Sequence, residues 1–285
     1  MRKSAASLKD RIKSLAKEKR VSSRILLQNY MFERFLDRVS SSSYRDKFVI
    51  KGGVLIAAMV GITSRSTMDL DVMLHAYPLD EDHVKEVLEA ICSIDMEDGV
   101  RIEMENIRTI RNEDEYGGFR VILRAHYDTI QVPMTIDITS GDAVTPSPVR
   151  YAIPSIFSEG TAIQVWAYNT ETILAEKIET VLRRGVFNSR SRDFYDIYVL
   201  SRTQDFDVRI LHEAIRRTAR HRDTIDQIRA TSSILLSIQE SEELAAYWRS
   251  YQREYEYASD ISFQDIIVVL HEIVDSLEFG EAENR

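Results

Sequence analysis

The chain has 285 residues, a formal net charge of -9, 44% hydrophobic residues and one cysteine, Cys92. It is long enough for two ordinary domains, cannot form an internal disulfide, and lacks the bulk positive charge of a general nucleic-acid binder. No apolar run approaches a membrane span, and the polar N-terminus (Arg2, Lys3, Lys9, Arg11) lacks a signal-peptide core, so a cytoplasmic protein without a membrane partner is expected.

In chain order, residues 4–20 read as a basic, weakly amphipathic helix. Ser22-Ser23 can cap a second helix with Leu27, Met31 and Phe35 on one face, ended by a serine run. Phe48-Val49-Ile50 reads as a strand, Gly52-Gly53 as a turn into a short apolar helix through Met59, and Asp69-Leu70-Asp71-Val72 as the next strand. Val84, Val87, Leu88 and Ile91 mark the apolar face of another helix, beside which Cys92 reads as a small hydrophobe. Strands follow over 101–111, 119–127 and 130–139, the first two broken at Gly117-Gly118 and the last two joined near Asp128-Thr129. Residues 141–160 carry three of the five prolines and read as a loop around one short strand; a last strand spans 162–168. From Asn169 the pattern is helical to the end. The expected fold is α+β, with a mixed-sheet core over 1–168 and a helical domain over 169–285.

The chemistry concentrates between residues 48 and 74. Side chains alternate across a strand, so Asp69 and Asp71 share one face about 7 Å apart while Leu70, Val72 and Leu74 share the buried one. Such a pair can lean over one divalent ion, and magnesium completes its shell with water and phosphate oxygens. Gly52-Gly53 sits between a strand and a helix N-terminus, where backbone N–H groups can hold a phosphate. Separately, an Asp-x-Asp can be a solvated edge and a Gly-Gly a plain turn. Asp137 alternates with Val132, Met134, Ile136 and Ile138 and so faces away from the core. Glu103 and Glu105 alternate in phase on their own strand, where Arg101 and Arg108 offer ordinary surface pairing. Arg65 suits either a phosphate or a neighbouring carboxylate.

In this order, the Gly-Gly turn and Asp-x-Asp strand resemble the opening of the DNA polymerase beta type nucleotidyltransferase superfamily, with Gly53 in place of its usual serine. The resemblance implies one further carboxylate on a later, adjacent strand, for which Asp137 is best placed. Downstream, Leu174-Ala175-Glu176-Lys177 and Arg190-Ser191-Arg192-Asp193-Phe194-Tyr195-Asp196-Ile197, with Lys51-Gly52-Gly53 and the 26–36 segment, are similar to the AbiEii/MenT nucleotidyltransferase toxin family. Arg192 stands where lysine is more common. By spacing alone Lys177 is an exposed helix lysine; the resemblance implies a triphosphate ligand, with Asp193 orienting it or the incoming substrate and Asp196 bracing the helix or pairing with an arginine.

The implied activity is transfer of NMP from an NTP, with Asp69, Asp71 and Asp137 holding magnesium, or manganese in its place, and a helical domain closing the cleft. Family acceptors include the tRNA 3′ end, which implies a toxin with a separately encoded antitoxin. Arg190, Arg192 and the helix bearing Arg209, Arg216, Arg217, Arg220 and Arg222 are the candidate RNA contacts, against a solvated face with Glu213 and Asp223. The Tyr247–Tyr257 aromatic group reads as packing or as base stacking. A protein or small-molecule acceptor and a noncatalytic binding module are the other two classes.

Overall fold

The structure, a computed structural model, describes residues 4–110, 117–158, 160–275 and 277. It divides into two compact units, Met1–Gly141 with Pro148–Tyr168, and Asp142–Ser147 with Asn169–Arg285. Arg111, the expected end of a strand, lies outside the described residues. No described helix is long and apolar enough to cross a membrane.

The first unit comprises α1 (Ala5–Lys19), α2 (Ser23–Ser41), β1 (Phe48–Lys51), α3 (Gly52–Val60), β2 (Asp69–Leu74), α4 (Glu81–Cys92), β3 (Val100–Ile110), β4 (Gly118–Tyr127), β5 (Ile130–Ser140), β6 (Val149–Pro154) and β7 (Ala162–Ala167). Among the described residues these strands form one seven-stranded sheet in the order β3-β4-β5-β2-β1-β7-β6. It is mixed: β2 runs parallel to β5 and β1 to β7, and the other pairs are antiparallel. Alternation sets its faces. Ile130, Val132, Met134, Ile136 and Ile138 of β5 are buried, which leaves Thr135 and Asp137 on the opposite face, half-buried.

Helix α2 is buried nearly all round, beyond the single Leu27, Met31, Phe35 face read from its sequence, because it touches α1, α4, β5 and β7. Its polar side chains therefore face neighbours rather than water. Gln28 donates to the Pro133 carbonyl at 3.0 Å and Asn29 to that of Thr67 at 3.3 Å, just before β2. Glu33 accepts from the Ser155 hydroxyl and the Ile156 N–H. Arg38, 1% exposed, grips both oxygens of Asp98 and the Val100 carbonyl at the start of β3. These bonds satisfy polar groups that burial would otherwise penalise, and fix α2 against the strands that carry the site.

The second unit is helical: α5 (Thr170–Arg184), α6 (Ser191–Thr203), α7 (Val208–His221), α8 (Ile225–Ile228), α9 (Thr231–Glu240), α10 (Glu242–Glu254) and α11 (Phe263–Val274). Asn169 caps α5 by accepting from the Thr172 N–H at 2.9 Å. Helix α5 touches α6, α7 and α8 and buries Ile173, Leu174, Ile178 and Val181. The 142–147 loop belongs to this unit because Thr145 bonds its start: its N–H donates to the Thr172 hydroxyl, and its carbonyl accepts from Asn169 and Thr172.

Replacing Arg38 by leucine removes the guanidinium that forks onto buried Asp98 and leaves it the longer ion pair with Arg34 at 4.0 Å. Burial alone raises the Asp98 pKa, and the bonds from Arg38 overcome this and hold it below the usual carboxylate value. The expected loss is about 3–5 kcal/mol in urea unfolding at pH 7. A depressed folded-state pKa contributes stability only above the unfolded value, so the difference from wild type narrows as pH falls below 3.8.

Candidate active site

Five charged residues lie in one row across the first unit's sheet. Lys51 of β1 is in register with Asp71 of β2, Asp71 with Asp137 of β5, Asp137 with Arg120 of β4, and Arg120 with exposed Arg108 of β3. Neighbouring strands are about 4.8 Å apart, so the row sets two carboxylates side by side with a cation flanking them on each side. Asp69, paired with Thr135, lies two residues along the same strand face and is exposed. The sheet therefore brings Asp69, Asp71 and Asp137 together, whereas Glu103 and Glu105 pair at the surface with Arg101, His126 and Arg124.

The turn beside this row explains both glycines. Gly52 has φ +65°, and a Cβ there would lie 1.9 Å from an Asp71 carboxylate oxygen. A Cβ on Gly53 would meet the Thr67 hydroxyl at 2.6 Å, and the Gly53 N–H points at Asp71 Oδ2 at 3.4 Å. In this structure the Gly-Gly N–H thus faces the carboxylate. Arg65 is 3% exposed, donates to the Ser66 carbonyl, and sets a guanidinium nitrogen 3.4 Å from the Gly53 Cβ position, as a buried support of the turn.

Burial raises the Asp71 pKa to about 6 against the pull of Lys51, and Asp137 and Asp69 push the same way as burial. Asp137 is held by Arg120 in a two-bond fork, Nε to Oδ1 at 2.7 Å and Nη2 to Oδ2 at 2.5 Å. Among the described residues no group of three or more His, Cys, Asp or Glu forms a ready metal site. The donor set still fits a magnesium-like ion, whose oxygen shell is completed by water and phosphates, because Asp71 lies in a field that disfavours its negative charge. Lys51 and Arg120 are the row members that pattern reading missed. Lys51 was visible as part of Lys-Gly-Gly, but Arg120 had no local signal, since its place depends on β4–β5 register.

In the second unit, Lys177 is not a surface lysine. Its ammonium lies 2.7 Å from Asp193 and 2.9 Å from Asp196, which is 0% exposed. Asp193 accepts a hydrogen bond from the Lys177 ammonium, and Asp196 pairs with the same lysine. Arg222 is also no surface contact, because it binds Glu179 at 2.6 Å and Glu176 at 3.3 Å from within the fold. Of the other arginines, Arg216 pairs with Glu213, while Arg217, Arg220, Arg190 and Arg192 are exposed. Trp248 and Tyr251 are buried as packing, and Tyr247 and Tyr255 border an open cavity of about 490 Å³ with Arg190, Arg192 and Asp193.

Two stability measurements follow from these charges. A carboxylate whose folded-state pKa is raised adds stability below its unfolded value of 3.8 and loses it as pH rises through about 6. Asp71→Asn should therefore melt above wild type at pH 7.5 in EDTA, by at most about 3 kcal/mol, and the gap should close at pH 4. Lys177→Ala, by contrast, removes the ammonium 2.9 Å from buried Asp196 and should lose about 3–5 kcal/mol in chemical unfolding.

The chain matches the family model for the nucleotidyl transferase AbiEii toxin of type IV toxin–antitoxin systems over residues 34–269. Among solved structures, an H. pylori protein described as a nucleotidyltransferase aligns at 17% identity over 90% of this chain and 97% of its own, with a TM-score of 0.48. JHP933 from Helicobacter pylori aligns at 16% identity over 90% and 94%, TM-score 0.48. An antigenic nucleotidyltransferase-like protein from Paracoccidioides brasiliensis aligns at 15% identity over 73% and 92%, TM-score 0.39. No curated protein matches the chain. A carboxylate row beside a Gly-Gly turn, within a family match over most of the chain, places this α+β protein in the AbiEii nucleotidyltransferase toxin family, as an enzyme and not a passive binding module.

Proposed function

We propose that the chain is a cytoplasmic, magnesium-dependent toxin that transfers NMP from an NTP to the 3′ end of a tRNA, blocks translation, and is countered by a separately encoded antitoxin. The observation that carries the transfer chemistry is Asp71 in register with Asp137, with Asp69 on the same strand face. Asp69, Asp71 and Asp137 would hold the cation, which when bound supplies positive charge for the triphosphate and the leaving pyrophosphate. An acceptor hydroxyl attacks the α-phosphorus, the bond to the bridging oxygen breaks, and pyrophosphate leaves. Asp137 takes the hydroxyl proton. Lys177, held by Asp193 and Asp196, is the proposed cation for the triphosphate.

The RNA acceptor is favoured by the cavity in the helical unit. At about 490 Å³ it is of nucleotide size, with Arg190 and Arg192 for phosphates and the Tyr247 and Tyr255 rings for a base. Arg217 and Arg220, with Arg216 beside Glu213, extend the candidate RNA contacts along α7. Asp193 and Glu254 line the same cavity, which favours a second reading with a protein or small-molecule acceptor.

The test incubates pure protein with each α-labelled NTP, magnesium and total RNA. Label should enter RNA of tRNA size and be lost in EDTA or with Asp69→Asn. Weakening of RNA binding with salt should flatten by about two phosphate contacts in the Arg190→Ala/Arg192→Ala double variant. Label confined to protein or small molecules would move the second reading ahead.

A further inference from the structure

The two cations that flank the carboxylate pair differ in freedom. Lys51 is 8% exposed, with its ammonium near the Tyr168 ring, so it is a fixed counter-charge beside Asp71. Arg120, with exposed Arg108 of β3 in register beyond it, keeps 37% of its side chain exposed, yet it forks onto Asp137 through two short bonds. Its positive charge also feels Asp69 and Asp71. The arginine four residues along β4, Arg124, forks in the same way onto Glu105, far along the sheet from the row, as a surface pair. Arg120 alone of the two has a partner in the candidate site.

A guanidinium fork matches a phosphate as well as it matches a carboxylate. Each Asp137 oxygen keeps a second lone pair, so a cation need not evict Arg120 for want of an acceptor. Charge decides the exchange instead. A divalent cation at the row repels the guanidinium, and a triphosphate brings several negative oxygens that draw it away.

We propose that Arg120 is a triphosphate ligand held in reserve on Asp137: it neutralises the row in the empty enzyme and moves to the β- or γ-phosphate oxygens when the metal-bound nucleotide arrives. This rests on the carboxylate row being the nucleotidyl-transfer site. It makes Arg120 a competitor of the metal and a partner of the nucleotide, so removing it has opposite effects on the two ligands.

The experiment uses the full chain and two binding titrations without turnover. Free manganese is followed by electron paramagnetic resonance as protein is added without nucleotide. Each of the four α,β-methylene NTP analogues is then titrated at saturating manganese by calorimetry. Arg120→Gln should bind manganese about five- to tenfold more tightly than wild type, and the preferred analogue about tenfold more weakly. Arg120→Lys, which keeps the charge and loses the fork, should leave manganese binding near wild type and weaken the analogue by less. If Arg120→Gln melts too low to titrate, the Arg120→Lys pair of values decides: equal analogue affinity to wild type overturns the proposal. Unchanged or weaker manganese binding in Arg120→Gln overturns it as well, and so does unchanged analogue binding. If wild type itself binds neither manganese nor any analogue, the carboxylate row is not the transfer site and both readings fall together.

Discussion

The Asp71 carboxylate is the constraint around which the first unit's site is built. It lies where a Cβ on Gly52 would be, accepts from the Gly53 N–H, and stands between the lysine and the second aspartate of its sheet row. Each neighbour follows from that placement. Residue 52 must lack a side chain, β1 must end in a cation, and β5 must run parallel to β2 in the register that brings Asp137 alongside. The energetic consequence is a carboxylate that gives up part of its ease of ionisation, with a pKa near 6. A fold optimised only for stability would place a neutral residue there. A charge retained in such a field marks a candidate ligand-binding position.

The helical unit uses buried charge differently. Lys177 closes a triad with Asp193 and fully buried Asp196, while Arg222 and Arg183 converge on Glu179, itself fully buried. Thr224 adds a hydroxyl to Glu179 at 2.8 Å. Both clusters hang from α5, two positions apart and so on opposite sides of the same helix. Paired charges of this kind contribute modest net stability but make alternative packings expensive, because a slipped helix would strand a charge in an apolar setting. The cost is accepted where a lysine has to be held in one orientation.

Local chemistry made the strand and helix order legible: alternation in 130–139, the caps at Ser22 and Asn169, and the 84, 87, 88, 91 stripe all correspond to elements that use those features. The same alternation put Asp137 on the open face. What the sequence could not display were pairings between distant segments. Arg120 gains its meaning only from antiparallel register with β5, and the burial of α2 all round only from its several neighbours. The 142–147 loop looked like part of the strand region because its bonds to Asn169 and Thr172 reach across more than twenty positions in sequence.

Charge was the least transferable reading, and the arginines show why. Arg217 and Arg220 are exposed as helical spacing suggests, yet Arg222, two positions on, turns inward to Glu179 because α7 has ended and the chain bends toward α8. Lys177 departs in the same direction, held in an ion triad with Asp193 and Asp196 where its spacing alone suggests an exposed helix lysine. A cation in a sequence is equally a phosphate ligand, a counter-ion or a solvated face, and only the acids around it distinguish these. In the sheet row that distinction is a matter of mobility. Lys51 is enclosed and stays with Asp71, while Arg120 keeps water on one side and a carboxylate on the other, the position from which a charged side chain can change partners without unfolding anything.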